Sequence, residues 1–231
     1  MSINHLAIIM DGNRRWATKN NFLHSQGHTE GAKNINLVTK YCIQNNIKYL
    51  SLYAFSLENL ANRSKTETDF LMKLFGSYAK KHIGELLKHG IRVKFLGETS
   101  FLPKYTQEAI LKTENSTAEC DTLFLNIYVC YGARQELVRA CKIIAEKYLE
   151  SDINLDEIND KMISENLWGS NIPDPDLIIR TGGAKRLSNF LLFQAAYSEL
   201  YFTDKYWPEF NESDINLALQ DYKNRKRNFG S

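Results

Sequence analysis

The apolar positions along the chain change period several times, and the changes mark an alternation of strands and helices. Leu6 to Met10 is a short apolar run with no polar helical face, which predicts a buried, central strand. It stops at Asp11-Gly12-Asn13, residue types that punctuate a backbone and tolerate unusual dihedrals. Lys19 to Gly31 is polar and lacks a clear period, so it reads as a loop carrying His24, Gln26, Gly27, His28 and Gly31. From about Ala32 to Asn45, Ile35, Val38, Tyr41 and Cys42 recur at helical spacing, and Asn45-Asn46 supplies the stop. Tyr49 to Phe55 predicts a second buried strand, ending in the polar cluster Ser56-Leu57-Glu58-Asn59. Thr68 to Lys88 predicts the longest helix, with Leu71, Leu74, Phe75, Tyr78, Ile83, Leu86 and Leu87 in one broad stripe and Gly90 at its end. A third strand at Ile91 to Gly97, a helix at Pro103 to Ser116 and a fourth strand at Leu123 to Tyr131 follow. Glu136 to Leu149 predicts another helix, and Leu155 to Leu167 a short helix or two. Pro173-Asp174-Pro175 stiffens the entry to a strand at Leu177 to Ile179, which discharges into Arg180-Thr181-Gly182-Gly183. A short strand at Leu200 to Thr203 and a helix from Glu212 to Asn228 close the pattern.

Strand, helix, strand in succession implies right-handed crossovers and a parallel sheet. The expected class is α/β, a Rossmann-like, mostly parallel central sheet flanked by helices. No internal repeat, low-complexity segment or linker divides the 231 residues, so one domain over 1–231 is expected. Hydrophobic residues make up 43% and charged residues 24%, ordinary for a globular chain. The net charge of +2 gives no global case for nucleic acid or an acidic membrane surface, and the run Lys223 to Arg227 reads as a solvated helix face. The chain enters its first strand at once, without a basic-then-apolar leader, and no apolar run has the length of a membrane span. Cys42, Cys120, Cys130 and Cys141 form no Cys-x-x-Cys pair and read as reduced, small hydrophobes, so a cytoplasmic protein is expected.

Three predicted strands end in polar, ligand-competent residues, and a parallel sheet gathers such ends at one edge, where ligands of open α/β sheets bind. Asp11 suits a hard divalent cation, Gly12 and Asn13 offer backbone donors, and Arg14 or Arg15 suits bidentate contact with phosphate oxygens. A plain strand-ending turn with solvated arginines fits the same residues. Arg180, Arg186 and Ser188 together suit a diphosphate, with Gly182 and Gly183 allowing backbone N–H groups to approach. A glycine turn between surface arginines is the simpler account. The stripe over Thr68 to Lys88 serves equally a helix lying on the sheet or a wall for a lipid chain. There is no Gly-x-Gly-x-x-Gly after the first strand, no P-loop spacing, no Gly-x-Ser-x-Gly elbow and no Asp-Asp-x-x-Asp pattern of the trans-type prenyltransferases.

Met10-Asp11-Gly12-Asn13-Arg14-Arg15-Trp16-Ala17 resembles the opening signature of the cis-prenyltransferases, the family of undecaprenyl diphosphate synthase. The resemblance runs from His5 to Gly230 and includes Gly27-His28, Leu52 to Asn59, Asn62-Arg63 and Asp176 to Thr203, within which Arg186-Leu187-Ser188-Asn189-Phe190 looks like the second diagnostic block. It implies a homodimer of Rossmann-like subunits, each with an apolar tunnel partly walled by Thr68 to Lys88. It implies that Asp11 holds Mg²⁺ and assists ionisation of an allylic diphosphate seated by Gly12, Asn13, Arg14, Arg15 and Trp16, with His24 and His28 nearby. Isopentenyl diphosphate would be held by Arg180, Arg186, Leu187 and Ser188. Glu199 matches a glutamate that helps coordinate the metal, reaching the partner subunit's site. Asn59 matches a residue proposed to help remove the proton, with Ser56, Leu57, Glu58, Leu60 and Arg63 shaping the pocket. The implied product is a long polyprenyl diphosphate, made in cis from farnesyl diphosphate as the precursor of the undecaprenyl carrier for peptidoglycan and cell-wall synthesis, with at most peripheral membrane contact at product release. A noncatalytic partner subunit of a heteromeric prenyltransferase is the alternative.

The departures from that pattern locate the open questions. His24 stands where the bacterial pattern has an arginine, which makes a conditional cation of a permanent one. Glu58-Asn59 is followed by Leu60-Ala61-Asn62 before Arg63, one residue more than usual and without the usual tryptophan and proline. Ala184 replaces a commonly acidic residue, and Asn228-Phe229-Gly230 replaces an Arg-x-Gly tail, leaving Arg225 or Arg227 as substitutes.

Overall fold

The apolar runs pair into one six-stranded sheet in which every neighbouring pair is parallel. The computed structural model describes residues 3–225. Its strands are β1 (His5–Ile9), β2 (Tyr49–Ser56), β3 (Ile91–Leu96), β4 (Leu123–Tyr131), β5 (Leu177–Arg180) and β6 (Glu199–Phe202), in the order β3-β4-β2-β1-β5-β6. The helices are α1 (Asn13–Lys19), α2 (His24–Gln44), α3 (Leu57–Asn62), α4 (Lys65–Lys81), α5 (Ile83–Lys88), α6 (Lys104–Ser116), α7 (Ala133–Leu149), α8 (Asp160–Glu165) and α9 (Glu212–Asn224). The α/β class and parallel sheet are as the pattern predicts.

The central strands are buried on both faces, as a covered parallel sheet requires. Leu6, Ile8, Leu50, Leu52, Leu177 and Ile179 face one core with Val38 and Tyr41 of α2 and Ile215 and Ala218 of α9. Ala7, Ile9, Tyr53 and Ile178 face the other, with Tyr128, Tyr131 and Phe190. β1 pairs with β2 on one side and β5 on the other, so the chain leaves β1 one way and returns on its far side. That reversal opens a crevice at the carboxyl end of β1, where Asp11 lies.

Three element expectations are corrected. Lys19 to Gly31 is not a loop: α1 runs to Lys19, and α2 begins at His24 and continues for 21 residues. Gly27 and Gly31, poor helix formers, are where α2 meets α1. A Cβ on Gly27 would stand 2.2 Å from the Asn13 carbonyl oxygen, and one on Gly31 2.3 Å from Asn13 Oδ1. Close packing overrides propensity here. Thr68 to Lys88 is likewise not one helix. His82, with φ −102 and ψ 5, closes α4 and opens α5, so α2 is the longest helix among the described residues. The closing helix ends at Asn224 rather than Asn228, and Arg227 and Asn228-Phe229-Gly230 lie outside the described residues.

Candidate active site

Register brings two of the three polar strand ends into direct contact. Ile9 pairs with Arg180, so the residues beyond each strand meet. Thr181 Oγ1 donates to the Asp11 carbonyl at 2.7 Å and accepts from the Asp11 N–H at 3.0 Å. The Asp11 carboxylate then sits between two guanidiniums: Oδ1 accepts from Arg15 at 3.1 Å and Oδ2 from Arg180 at 2.9 Å. Gly12, at φ +107, is required at the turn, because a Cβ there would stand 2.7 Å from Tyr206 Cδ1.

Arg180 is buried and organises the second half of the site. One terminal nitrogen donates to the Arg186 carbonyl at 2.6 Å and to Ser188 Oγ at 2.7 Å, the other to Asp11, and its buried Nε has no protein partner. Arg186 Nε also donates to Ser188 Oγ, at 3.2 Å. Ser188 has φ +50, Asn189 +63 and Leu191 +48, so this loop holds left-handed backbone that non-glycine residues rarely adopt. The Gly182 and Gly183 amides are not available as phosphate donors: they donate to the carbonyls of Lys205 and Thr203. What Gly182 supplies is space, since a Cβ would stand 2.7 Å from the Arg15 guanidinium, which donates to the Gly182 carbonyl at 2.6 Å.

On the other flank a polar pocket of about 390 Å³ is lined by Asp11, Asn13, Arg14, Arg15, His24, His28 and Arg63 among others. Arg14 Nε donates to His24 Nδ1 at 3.3 Å. Arg63 reaches this pocket despite the extra residue before it, and it donates to Glu67 at 2.9 Å and to Asn59 Oδ1 at 3.3 Å. His28 Nε2 also lies 3.2 Å from Glu67. Burial, seconded by the Arg63 charge, lowers the His28 pKa to about 4, so the ring is neutral near pH 7. Ser56 caps α3 by accepting from the Asn59 N–H, and Asn189 Nδ2 donates to Glu58 at 2.8 Å.

Some predicted residues stand elsewhere. Trp16 packs against Phe22, with ring centroids 5.6 Å apart. Leu57 and Leu60 pack against the cluster of Phe55, Leu71 and Met72, and Leu187 against the core containing Ile9 and Phe190. Glu199 opens β6 opposite Leu177, at the end of the sheet away from Asp11, where it pairs with Arg225 at 2.5 Å. Glu67, Thr181 and Asn189 were not singled out from sequence. The available signal for Glu67 was its place four residues after Arg63, just before the predicted helix of Thr68 to Lys88.

Beneath the polar pocket lies an apolar cavity of about 610 Å³ between α2, α4, α5 and the sheet. Ile35, Leu71, Leu74, Phe75, Ile127 and Phe95 contribute to its wall, and its lining on α2 extends from His28 to Ile43, about 22 Å at the rise of a helix. Met10, Asn13 and His28 line both the cavity and the polar pocket. No group of three or more His, Cys, Asp or Glu side chains among the described residues forms a metal cage, and Asp11 is the one carboxylate lining the polar pocket. A single carboxylate fits a Mg²⁺ ion that arrives with phosphate ligands and keeps its waters. Among the described residues no helix is long and apolar enough to cross a membrane.

The comparisons with known proteins agree with this geometry. The chain is 42% identical over 226 residues, 98% of its length and 90% of the relative's, to the ditrans,polycis-undecaprenyl-diphosphate synthase ((2E,6E)-farnesyl-diphosphate specific) of Micrococcus luteus. It is 44% identical over 228 residues, 98% of its length and 86% of the relative's, to the tritrans,polycis-undecaprenyl-diphosphate synthase (geranylgeranyl-diphosphate specific) of Pyrococcus furiosus. The crystal structure of lavandulyl diphosphate synthase from Lavandula x intermedia in complex with dimethylallyl diphosphate superposes with a TM-score of 0.96 at 36% identity, covering 100% of this chain and 99% of that one. A prenyltransferase family model described as "Putative undecaprenyl diphosphate synthase" matches residues 9–230, and the chain belongs to that family, the cis-prenyltransferases.

Proposed function

We propose that this prenyltransferase condenses isopentenyl diphosphate with an allylic diphosphate in cis configuration, repeatedly, to make a polyprenyl diphosphate. The observation that carries the reading is the shared wall of Met10, Asn13 and His28 between the cationic pocket and the apolar cavity. A molecule with a diphosphate head and a hydrocarbon tail meets both environments at once. Each methylene buried in the cavity favours binding by about 0.8 kcal/mol, so a growing tail is retained increasingly well.

In this reading the allylic diphosphate lies among Arg14, Arg15, His24, His28 and Arg63, and isopentenyl diphosphate lies on Arg180, Arg186 and Ser188. Asp11 lies between the two and holds Mg²⁺ together with substrate phosphates; bound there, the ion stabilises charge on the departing diphosphate. Arg14, Arg15 and Arg63 stabilise the same charge from positions fixed before reaction, lowering the barrier to breaking the allylic C–O bond. The alkene of isopentenyl diphosphate supplies the electrons of the new C–C bond, and we assign Asn59, oriented by Arg63, a part in removing the proton. The apolar wall excludes water from the cationic carbon.

The finer expectations belong to the same proposal. They are a cytoplasmic homodimer in which Glu199, too far along the sheet to serve its own subunit's Asp11, reaches the partner's metal, and an undecaprenyl product destined for cell-wall carriers. Farnesyl diphosphate is the expected primer. Relatives of similar identity name farnesyl and geranylgeranyl diphosphates, so the primer is decided by assay. The retained Asp11, Arg15, Arg180, Arg186 and Glu199 argue against a noncatalytic partner subunit. The test is incubation of purified protein and Mg²⁺ with labelled isopentenyl diphosphate and, separately, dimethylallyl, geranyl, farnesyl and geranylgeranyl diphosphates. Long cis-prenyl products from at least one primer are expected. Folded protein that elongates none of them would overturn the reading.

A further inference from the structure

Asn189 is hydrogen-bonded to separate segments around the site, although it lies on neither diphosphate position proposed above. Its Nδ2 donates to Glu58 Oε1 at 2.8 Å and to Gln135 Oε1 at 3.1 Å. Its Oδ1 accepts from the Arg134 N–H at 2.9 Å, and its carbonyl accepts from the Ala133 N–H at 2.9 Å. One residue thus links the first turn of α3, the first turn of α7 and the loop after β5. It does so at φ +63, beside Ser188 at +50. Two left-handed non-glycine residues in succession persist only where the surroundings hold them. Gly132 is part of the same device: its φ is unexceptional, yet a Cβ would stand 2.7 Å from Asn189 Nδ2 and 2.3 Å from Gln135 Oε1. Tyr53 supports the loop from below, its hydroxyl donating to the Tyr131 carbonyl at 3.1 Å and its ring stacked on Phe190 at 4.5 Å.

We propose that Asn189 is a positioning residue: a clamp that fixes the Arg186–Ser188 loop to the start of α3 at Glu58–Asn59 and thereby sets the isopentenyl diphosphate subsite against the residues that receive the proton. Ser188 Oγ is where Arg180 and Arg186 converge, so rotation of its backbone out of the left-handed region moves the one acceptor that spaces the two guanidiniums. Among the described residues the allylic pocket, built on α1, α2 and Arg63, shares no hydrogen bond with Asn189 itself; it meets the clamped segment through Arg63, which Glu67 also holds, and is affected less. The proposal rests on the functional reading above.

Asn189→Asp gives the sharpest test. It keeps the shape and the acceptor for Arg134 but sets a carboxylate against that of Glu58. Isopentenyl diphosphate, titrated without allylic substrate, is expected to bind Asn189→Asp about 10-fold more weakly than wild type at pH 8, the size of one lost charge-assisted hydrogen bond. Affinity relative to wild type should recover near pH 5, as the facing carboxylates share a proton. In Asn189→Asp/Glu58→Gln an amide again faces a carboxylate, and binding at pH 8 should be tighter than in Asn189→Asp alone. Gly132→Ala, which evicts the Asn189 amide sterically, should weaken isopentenyl diphosphate in the same way and carries the test if Asn189→Asp does not fold. Farnesyl diphosphate affinity should change by less than about 2-fold in folded Asn189→Asp and Gly132→Ala, within what distant sites share. Equal isopentenyl diphosphate affinity in wild type and folded variants, or equal weakening of both substrates, overturns the clamp. Wild-type protein that binds no isopentenyl diphosphate overturns the functional reading itself.

Discussion

The same substitution at two helical glycines should have opposite signs. Gly84, in α5, has nothing within 4 Å of an added Cβ, so Gly84→Ala gains helix propensity of up to about 1 kcal/mol without cost. Gly27, in α2, has the Asn13 carbonyl oxygen 2.2 Å from that Cβ and Ala17 Cβ 3.0 Å away, where ordinary contact begins at 3.4 Å. The nearer obstacle is backbone and cannot rotate aside, so α1 and α2 must separate by about 1 Å. Overpacking of this kind costs about 1–3 kcal/mol, and the rigid obstacle places Gly27→Ala toward the upper end. Less the propensity gain, the net loss is about 1–2 kcal/mol, or a fall in Tm of roughly 2–8 °C for a chain of this size. Thermal unfolding of the two variants and wild type measures both signs in one experiment. Because Asn13 begins the helix that carries Arg14 and Arg15, Gly27→Ala should also weaken farnesyl diphosphate binding, and Gly84→Ala should not. Gly27→Ala as stable as Gly84→Ala would refute the packing account of α2.

Three further outcomes follow from side chains already placed. His24 accepts from Arg14 Nε in the polar pocket, so on the proposed reading His24→Ala should weaken farnesyl diphosphate binding and spare isopentenyl diphosphate; an unchanged farnesyl diphosphate affinity would remove His24 from that subsite. His5 and His28 both have pKa values lowered to about 4, chiefly by burial, against about 6.5 in an unfolded chain. Above pH 6.5 neither state takes the proton; between 6.5 and 4 only the unfolded chain does, so stability falls through that window and the loss levels off below it, by about 3 kcal/mol per ring. The stability of His5→Gln should therefore depend less steeply on pH there, and an unchanged slope in urea unfolding would contradict the assignment. Arg225 holds Glu199 in a half-exposed pair, so Arg225→Ala should lower Tm by only a few degrees. On the dimer reading it should also raise the Mg²⁺ needed for half-maximal turnover about 10-fold, and an unchanged Mg²⁺ response would separate Glu199 from the metal.

The parts of this fold legible in the sequence are those where one local rule decides. Leu123–Tyr131 has its strand bounds because the apolar run is bracketed by turn residues, and the convergence of Asp11 with Arg180 follows from any parallel pairing of β1 with β5. The start of α2 was not legible, because Lys19 to Gly31 is polar and without a clear period, and Gly27 and Gly31 find their reason only in α1 lying against them. Nor was the break at His82, where the apolar stripe passes from α4 to α5 and the nearby Gly84 lies inside α5 rather than at the break. Within the site, Asp11 and the arginines were legible by residue type. Asn189 and Glu67 were not, since their importance lies in partners 131 and 39 positions away along the chain.

The central claim is that Asp11 serves the metal at a site otherwise made of cations, and elongation of farnesyl diphosphate by wild type and Asp11→Ala across a Mg²⁺ titration tests it most directly. Removing the carboxylate takes a negative charge from between Arg15 and Arg180, so metal-free diphosphate binding should be kept or tightened. Turnover should nevertheless fall at least about 100-fold and lose its response to Mg²⁺. Mg²⁺-dependent elongation by Asp11→Ala within a few-fold of wild type would contradict the account.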